Sequence, residues 1–175
     1  VDEVSVRPNG TDTEPLPELP AKRLAKPLRL IALSRLAPNK RVSDVIRVLA
    51  LLNDAGCPAE LTVVGSGWER DLLGRLAGSL GQADAVTFKE HLDDDEKNVE
   101  LQKAHLLLHT SVREGWGLNV IEANAMGTPA VVYPVGGLVD STVDGVTGLV
   151  STGETPVSLA LKILQLVDDP DRYDQ

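Results

Sequence analysis

Two cations and two carboxylates in this chain have types and spacing suited to chemistry. Arg35 and Lys40 flank the turn residues Pro38 and Asn39, where an apolar run ends and a helical pattern begins. Two positive side chains beside a helix N-terminus suit a diphosphate, because the helix end adds partial positive charge and free N–H donors. The same pair would also serve as solvated surface charges. Glu114 sits in a glycine-flanked loop after an apolar run, and Glu122 lies eight residues on. The helical pattern between them puts Glu122 on one face with Leu118, Ile121, Ala125 and Met126, so it is expected to face the core. A carboxylate there needs hydrogen-bond donors, which ribose or hexose hydroxyls would supply and protein donors would supply equally well.

The residues between the acids add to this picture. Gly115 and Gly117 let backbone come close to a ligand, and the amides from Gly115 to Leu118 would open toward an anion or a sugar hydroxyl. Trp116 between them reads as a packing residue rather than a stacking platform. Gly65-Ser66-Gly67 follows a strand pattern and opens a helix, but Arg70 occupies the position of the third glycine of a dinucleotide fingerprint. A tight turn is the simpler reading. His105 and His109 bracket an apolar strand and read as structural, whereas His91 lies in a strand-end loop. The three histidines and Cys57 have no metal-site spacing, and Asp93-Asp94-Asp95 belongs to an acidic loop and helix start. No metal is expected.

These residues need elements to position them. Apolar runs at 28–34, 61–65, 85–88, 105–110, 130–133 and 148–151 read as strands. Helical spacing falls at 42–54, 68–80, 94–103, 118–126, 138–143 and 156–167, with Asn39 or Ser43 as caps for the first and Gly127 ending the fourth. About six strands alternating with helices predict an α/β fold, a Rossmann-like doubly wound parallel sheet with helices on both faces. In such a sheet ligands bind beyond the carboxyl ends of the strands. Arg35, Lys40, Glu114 and most glycine pairs fall in loops at that edge. Residues 1–27 hold five prolines and read as a linker or irregular arm, with a turn at Asn9-Gly10. Residues 28–175 form the ligand-binding domain.

Composition sets outer limits. The 175 residues are 42% hydrophobic and 25% charged, as in a globular domain. Aromatics are only 3%, so Leu, Val, Ile and Ala must build the core. A net charge of −9 argues against nucleic acid as a partner. The single cysteine suits a reducing compartment, and a cytoplasmic location is expected. No run is apolar enough to span a bilayer. The start at Val1, in a polar proline-rich stretch, suits a piece of a longer protein.

With those residues in view, the chain resembles the C-terminal domain of GT-B-fold glycosyltransferases, specifically the large retaining family 4. Four stretches carry the resemblance in order: SRLAPNK, LTVVGSGWERDLL, SVREGWGLNVIEANAMGTPAVV and VGGLVDSTVDGVTGLV. NGTD at 9–12 is similar to the family's interdomain segment. The resemblance implies that Arg35 and Lys40 hold the donor diphosphate and stabilise the departing nucleotide. Glu114 would contact the sugar's hydroxyls and Glu122 the ribose, with Gly115, Gly117 and Leu118 in the loop over sugar and phosphates. Trp116 stands where the family usually has Phe, which leaves its role open. The implied donor is a UDP- or GDP-sugar, and no metal or other cofactor takes part. The acceptor, a glycan, lipid or small molecule, would be held by an N-terminal domain, where peripheral membrane association would also reside. This chain alone is therefore expected to bind donor without transferring sugar. A nucleotide-sugar epimerase, a phosphorylase of the same architecture and a non-catalytic nucleotide-binding module are the alternatives. The broken glycine fingerprint disfavours a nicotinamide-dependent oxidoreductase.

Overall fold

The structure is a computed structural model that describes residues 11, 13–19 and 22–173. Apolar runs become strands: β1 (Leu28–Leu33), β2 (Ala59–Val64), β3 (Val86–Lys89), β4 (Leu106–His109), β5 (Ala130–Val132) and β6 (Gly148–Val150). Helically spaced segments become α1 (Val42–Asp54), α2 (Arg70–Ser79), α3 (Asp94–Lys103), α4 (Leu118–Ala125), α5 (Leu138–Ser141) and α6 (Pro156–Asp168). A further short helix, α7 (Pro170–Tyr173), was not anticipated. Four residues are too few for a periodic signal, and Tyr173 anchors this turn by donating to the His105 carbonyl at 2.9 Å.

All six strands are parallel, in the order β3-β2-β1-β4-β5-β6. Chain order runs outward in both directions from the β1–β4 pair, which register as Leu30 with Leu106 and Ile31 with Leu107. A crevice opens at that reversal, outside the carboxyl ends of the two strands. The expected Rossmann-like doubly wound sheet is the observed fold.

The core follows from the sequence pattern. Every residue of β4 is buried, as a strand covered on both faces requires. On α1, Val42, Val45, Ile46, Leu49 and Leu52 form the buried stripe, and α1 lies against α6. Each such aliphatic side chain contributes about 1.5–3 kcal/mol on leaving water.

The start of α1 departs from expectation: neither Asn39 nor Ser43 caps it. The chain leaves β1 through a 3₁₀ turn at Pro38–Lys40, and Arg41 precedes the helix at φ 49° with no side-chain cap. A left-handed conformation at a residue with a β-carbon costs about 1–3 kcal/mol. Compensation comes from the Arg41 guanidinium, 2.6 Å from Asp44 and 3.4 Å from Glu154. Asp44 also accepts from the buried Tyr133 hydroxyl at 2.9 Å.

The described part of the N-terminal arm has no helix or strand, yet it is docked. The Leu16 amide donates to Ala125 O at 3.1 Å. Lys22 donates to the carbonyls of Leu101 and Ala104, at 3.2 and 2.9 Å, and to Thr128. The turn at Asn9-Gly10 lies outside the described residues.

Candidate functional site

The loops after β1 and β4 meet at the switch point and are stitched by backbone. Val112 N donates to Asn39 O at 3.0 Å, and the Thr110 hydroxyl bonds the carbonyls of Lys40 and Arg41 at 3.0 and 2.9 Å. Asn119, on the first turn of α4, donates to Leu33 O at 2.7 Å and ties that helix to the end of β1. Because β1 and β4 are neighbours only through the sheet, residues 69 to 86 positions apart converge here.

Lys40 and Glu114 are the outcome. Lys40 Nζ lies 2.6 Å from Glu114 Oε2, and both side chains are mostly buried. Burial pushes the Glu114 carboxyl up, but the Lys40 ammonium outweighs it and holds the acid below the ordinary carboxylate range. Behind the pair stands His109, its Nε2 at 3.5 Å from the same carboxylate oxygen. Burial, helped by the Lys40 charge and opposed by Glu114, lowers His109 to about 4, so it is neutral at pH 7. Sequence reading placed His109 among structural residues, since nothing local links it to Glu114.

Arg35 is exposed on the same loop as Lys40; its carbonyl accepts from Ala37 N at 3.1 Å, and its guanidinium makes no hydrogen bond or ion pair among the described residues. Trp116 is half-buried. Gly115 is exposed, with nothing near its missing side chain. Gly117 differs from expectation: it is buried, and a β-carbon there would lie 2.9 Å from both Leu138 Cδ2 and Ser141 Oγ. It lets α4 approach α5 and does not face open space. Gly137 completes the wall, where an added β-carbon would stand 2.3 Å from Glu114 O.

Glu122 is a second correction. The buried residues of α4 are Val120 and Ala123, followed by Met126. Leu118 is exposed, while Ile121 and Ala125 are only half-buried. With eight residues and apolar side chains around most of its circumference, α4 gives a poor periodic signal, and the face was assigned to the wrong side. Glu122 faces a cavity of about 460 Å3 beyond β1 and β2, which Leu33, Val64, Leu92, Asn119, His91 and Lys97 also line. Lys97 Nζ lies 3.0 Å from Glu122 Oε1. His91, exposed and at φ 55°, stands at the mouth. The carboxylate is thus satisfied in part by a protein donor and in part opens to the cavity.

The glycine pair after β2 serves the fold. A β-carbon on Gly65 would meet Ser34 O at 2.0 Å, so the two strand-end loops are in backbone contact. Arg70, at the third-glycine position, lies 3.7 Å from the Phe88 ring centroid and pairs with Glu90 at 3.6 Å. Asp93 caps α3 and accepts from Glu96 N at 2.8 Å, in keeping with an acidic helix start. Among the described residues no group of three or more His, Cys, Asp or Glu side chains is placed to hold a metal, and no helix is long and apolar enough to cross a membrane.

A doubly wound parallel sheet with a cation–acid pair and a cavity lined by Glu122 at its switch point defines a Rossmann-like ligand-binding domain. The family described as glycosyl transferases group 1 matches residues 18–175, and this chain belongs to it. It is 32% identical over 168 residues to a glycogen synthase of Mycobacterium tuberculosis, covering 96% of this chain and 41% of that protein. It is 34% identical over 181 residues to a D-inositol 3-phosphate glycosyltransferase of Salinispora arenicola, covering 97% of this chain and 40% of that one. The crystal structure of Anabaena HepE in complex with UDP and glucose matches with a TM-score of 0.73 at 26% identity, over 84% of this chain and 40% of HepE. The chain therefore spans about two-fifths of the length of these relatives.

Proposed function

We propose that this chain is the donor-binding domain of a retaining glycosyltransferase that moves a hexose from a nucleoside-diphosphate sugar to an acceptor. The observation that carries the reading is the meeting of Lys40, Glu114 and the Glu122 cavity at the β1–β4 switch point. The relatives support it. HepE is a structural neighbour that holds UDP and glucose, and both named curated relatives are sugar-transferring enzymes by name.

In this reading Glu122 accepts from the ribose hydroxyls and Glu114 from hydroxyls of the sugar. Lys40 reaches from Glu114 toward the diphosphate, joined by Arg35 from the rim, with the loop at Gly115, Trp116, Gly117 and Leu118 alongside. During transfer the bond from the anomeric carbon to the diphosphate breaks, and an acceptor oxygen takes the carbon and passes its proton to the departing phosphate. Negative charge grows on the departing phosphate. Lys40 and Arg35 stabilise it, in the place a divalent ion fills in other transferases, so we propose that no metal is required. The acceptor comes from a second domain.

Calorimetric titration of UDP and GDP tests the donor site. One of the two should bind, and Arg35→Ala and Lys40→Ala should each weaken it about 10–100-fold, the range of a charge-assisted hydrogen bond. Binding equally tight in both variants would overturn the assignment. Retention is checked separately, by proton NMR of the anomeric configuration in the product of the full-length enzyme.

A further inference from the structure

Lys97 belongs to no stretch that the sequence singled out, and its surroundings are unlike those of a surface lysine. It sits on the first turns of α3, yet its side chain is only 17% exposed. Its ammonium bridges two carboxylates. One is Asp94 on its own helix, at 2.9 Å, whose side chain is 92% exposed. The other is Glu122 on α4, at 3.0 Å, whose side chain is 18% exposed. The inward arm of this bridge crosses between two helices and ends in the cavity.

The bond to Glu122 is specific to one oxygen. Lys97 takes Oε1, and Oε2 has no partner among the described residues. Lys97 and Glu122 together line the cavity of about 460 Å3 beyond β1 and β2 and a second one of about 500 Å3 toward the N-terminal arm. Glu122 therefore stands between two openings, and Lys97 is the one side chain among the described residues that hydrogen-bonds its carboxylate. A glutamate has three rotatable side-chain bonds, and holding it still in a wet cavity requires such a partner. Burial disfavours the lysine charge, but the Asp94 and Glu122 carboxylates hold its pKa above the ordinary lysine value. The ammonium is therefore charged at neutral pH.

We propose that Lys97 is a positioning residue for nucleotide binding: it clamps Glu122 by one carboxylate oxygen and so presents the other to the ribose hydroxyls of the donor. This rests on the donor-site reading above and names a residue that Lys40 parallels. Each acid of the segment from Glu114 to Glu122 is held by one lysine from a different element, Glu114 by Lys40 and Glu122 by Lys97. Lys97 itself touches neither the ribose nor the reacting carbon. Without it, Glu122 samples both openings, and ribose recognition is lost while diphosphate recognition remains.

The measurement compares UDP with 2′,3′-dideoxy-UDP, titrated into the unaltered chain, Lys97→Met, Lys97→Arg and Glu122→Gln, each first checked for cooperative thermal unfolding. The unaltered chain should prefer UDP about tenfold, the worth of one good hydrogen bond to an ionised group. Lys97→Met should bring that preference close to one, as Glu122→Gln should, with dideoxy-UDP bound as before. Lys97→Arg, which keeps the charge and the donor, should restore most of it. A full preference retained in Lys97→Met would overturn the proposal. So would equal loss of both ligands in that variant, which would place Lys97 at the base or the diphosphate. Failure of the unaltered chain to bind UDP at all would instead count against the donor-site reading itself.

Discussion

Adding one methyl group to Gly137 would set it 2.3 Å from the Glu114 carbonyl oxygen, at φ 78°, where a side chain is already disfavoured. The obstacle is backbone, so nothing flexible can move aside. Gly137→Ala should lower unfolding free energy by about 2–4 kcal/mol, measured by urea denaturation. Gly115→Ala is the control, because a β-carbon there has no neighbour within 4 Å. Its stability should stay within about 0.5 kcal/mol, and any loss of nucleotide binding then belongs to the site. The two buried histidines give a pH signature. His109 is lowered to about 4 by burial and the Lys40 charge, and His105 to about 4 by burial and the charges of Arg29 and Lys22. Both pKa values are lower folded than unfolded, so the unfolded chain binds more protons between about pH 6.5 and 4. Their stabilisation is complete above pH 6.5 and is lost as pH falls through that window. Between pH 6.5 and 5, before most carboxylates titrate, stability should fall by at most about 1 kcal/mol per pH unit for each histidine. Replacing His109 by Asn should halve the slope, and an unchanged slope would remove His109 from the account. At this scale the sequence singled out Arg35, Lys40 and Glu114 because each falls in or beside a strand-end loop, and Glu122 for a core-facing place on a helix that the structure corrects. It read His109 as structural and was silent on Lys97 and Asn119; the partners of these three are 5, 25 and 86 positions away and are set by packing.

The helices divide into those held by an apolar stripe and one held by its ends. α1 and α6 bury regular stripes, and their periodicity alone located them. α3 buries only Leu101 completely. Its N-terminus is closed by the reciprocal bonds of Asp93 and Glu96, at 2.8 and 3.0 Å, and its last carbonyls are taken by Lys22 from the arm. Such a helix depends on its caps. Asp93→Ala should cost about 1 kcal/mol in global stability. It should also speed amide exchange across α3 while leaving α1 protected, because the opening is local. Exchange accelerated equally in both helices would show that α3 does not open separately. The prediction reaches the site, since Lys97 rides on the first turns of α3. The elements that sequence placed least well are those with little pattern to read. On α4 apolar residues occupy more than one face, so the buried stripe of Val120 and Ala123 could not be told from its neighbours. At the start of α1, polar Asn39 and Ser43 advertised a cap, but the preceding 3₁₀ turn commits the Asn39 carbonyl to Val112 and leaves Arg41 at the boundary.

For the whole molecule, strand order decides what is within reach. Parallel strands with the reversal at β1–β4 gather the loops after those strands on one edge, and every proposed donor contact comes from that edge or from the helices beside it. The site so formed is one-sided. Arg35 and His91 are exposed, and Trp68 at the same edge is 76% exposed. The charge stabilisation proposed for Arg35 and Lys40 is strongest where water is excluded and weak where it is not. Positioning an acceptor oxygen against the anomeric carbon, worth up to about 7–11 kcal/mol of a barrier, also needs a second surface. The chain spans about two-fifths of its relatives, so that surface is proposed to lie in a second domain. The expected behaviour is binding without turnover. Incubated with UDP-glucose labelled in the sugar and a panel of acceptors, the 175-residue chain should form glycoside at no more than about one-thousandth of the full-length rate, the loss expected when several kcal/mol of positioning are absent. Calorimetry under the same conditions should still detect the nucleotide. Transfer at a rate comparable to the full-length enzyme would mean that this one edge binds acceptor as well as donor. The second opening beside Glu122, lined by Thr13, Asp94 and Asn98, would then be the place to look for it.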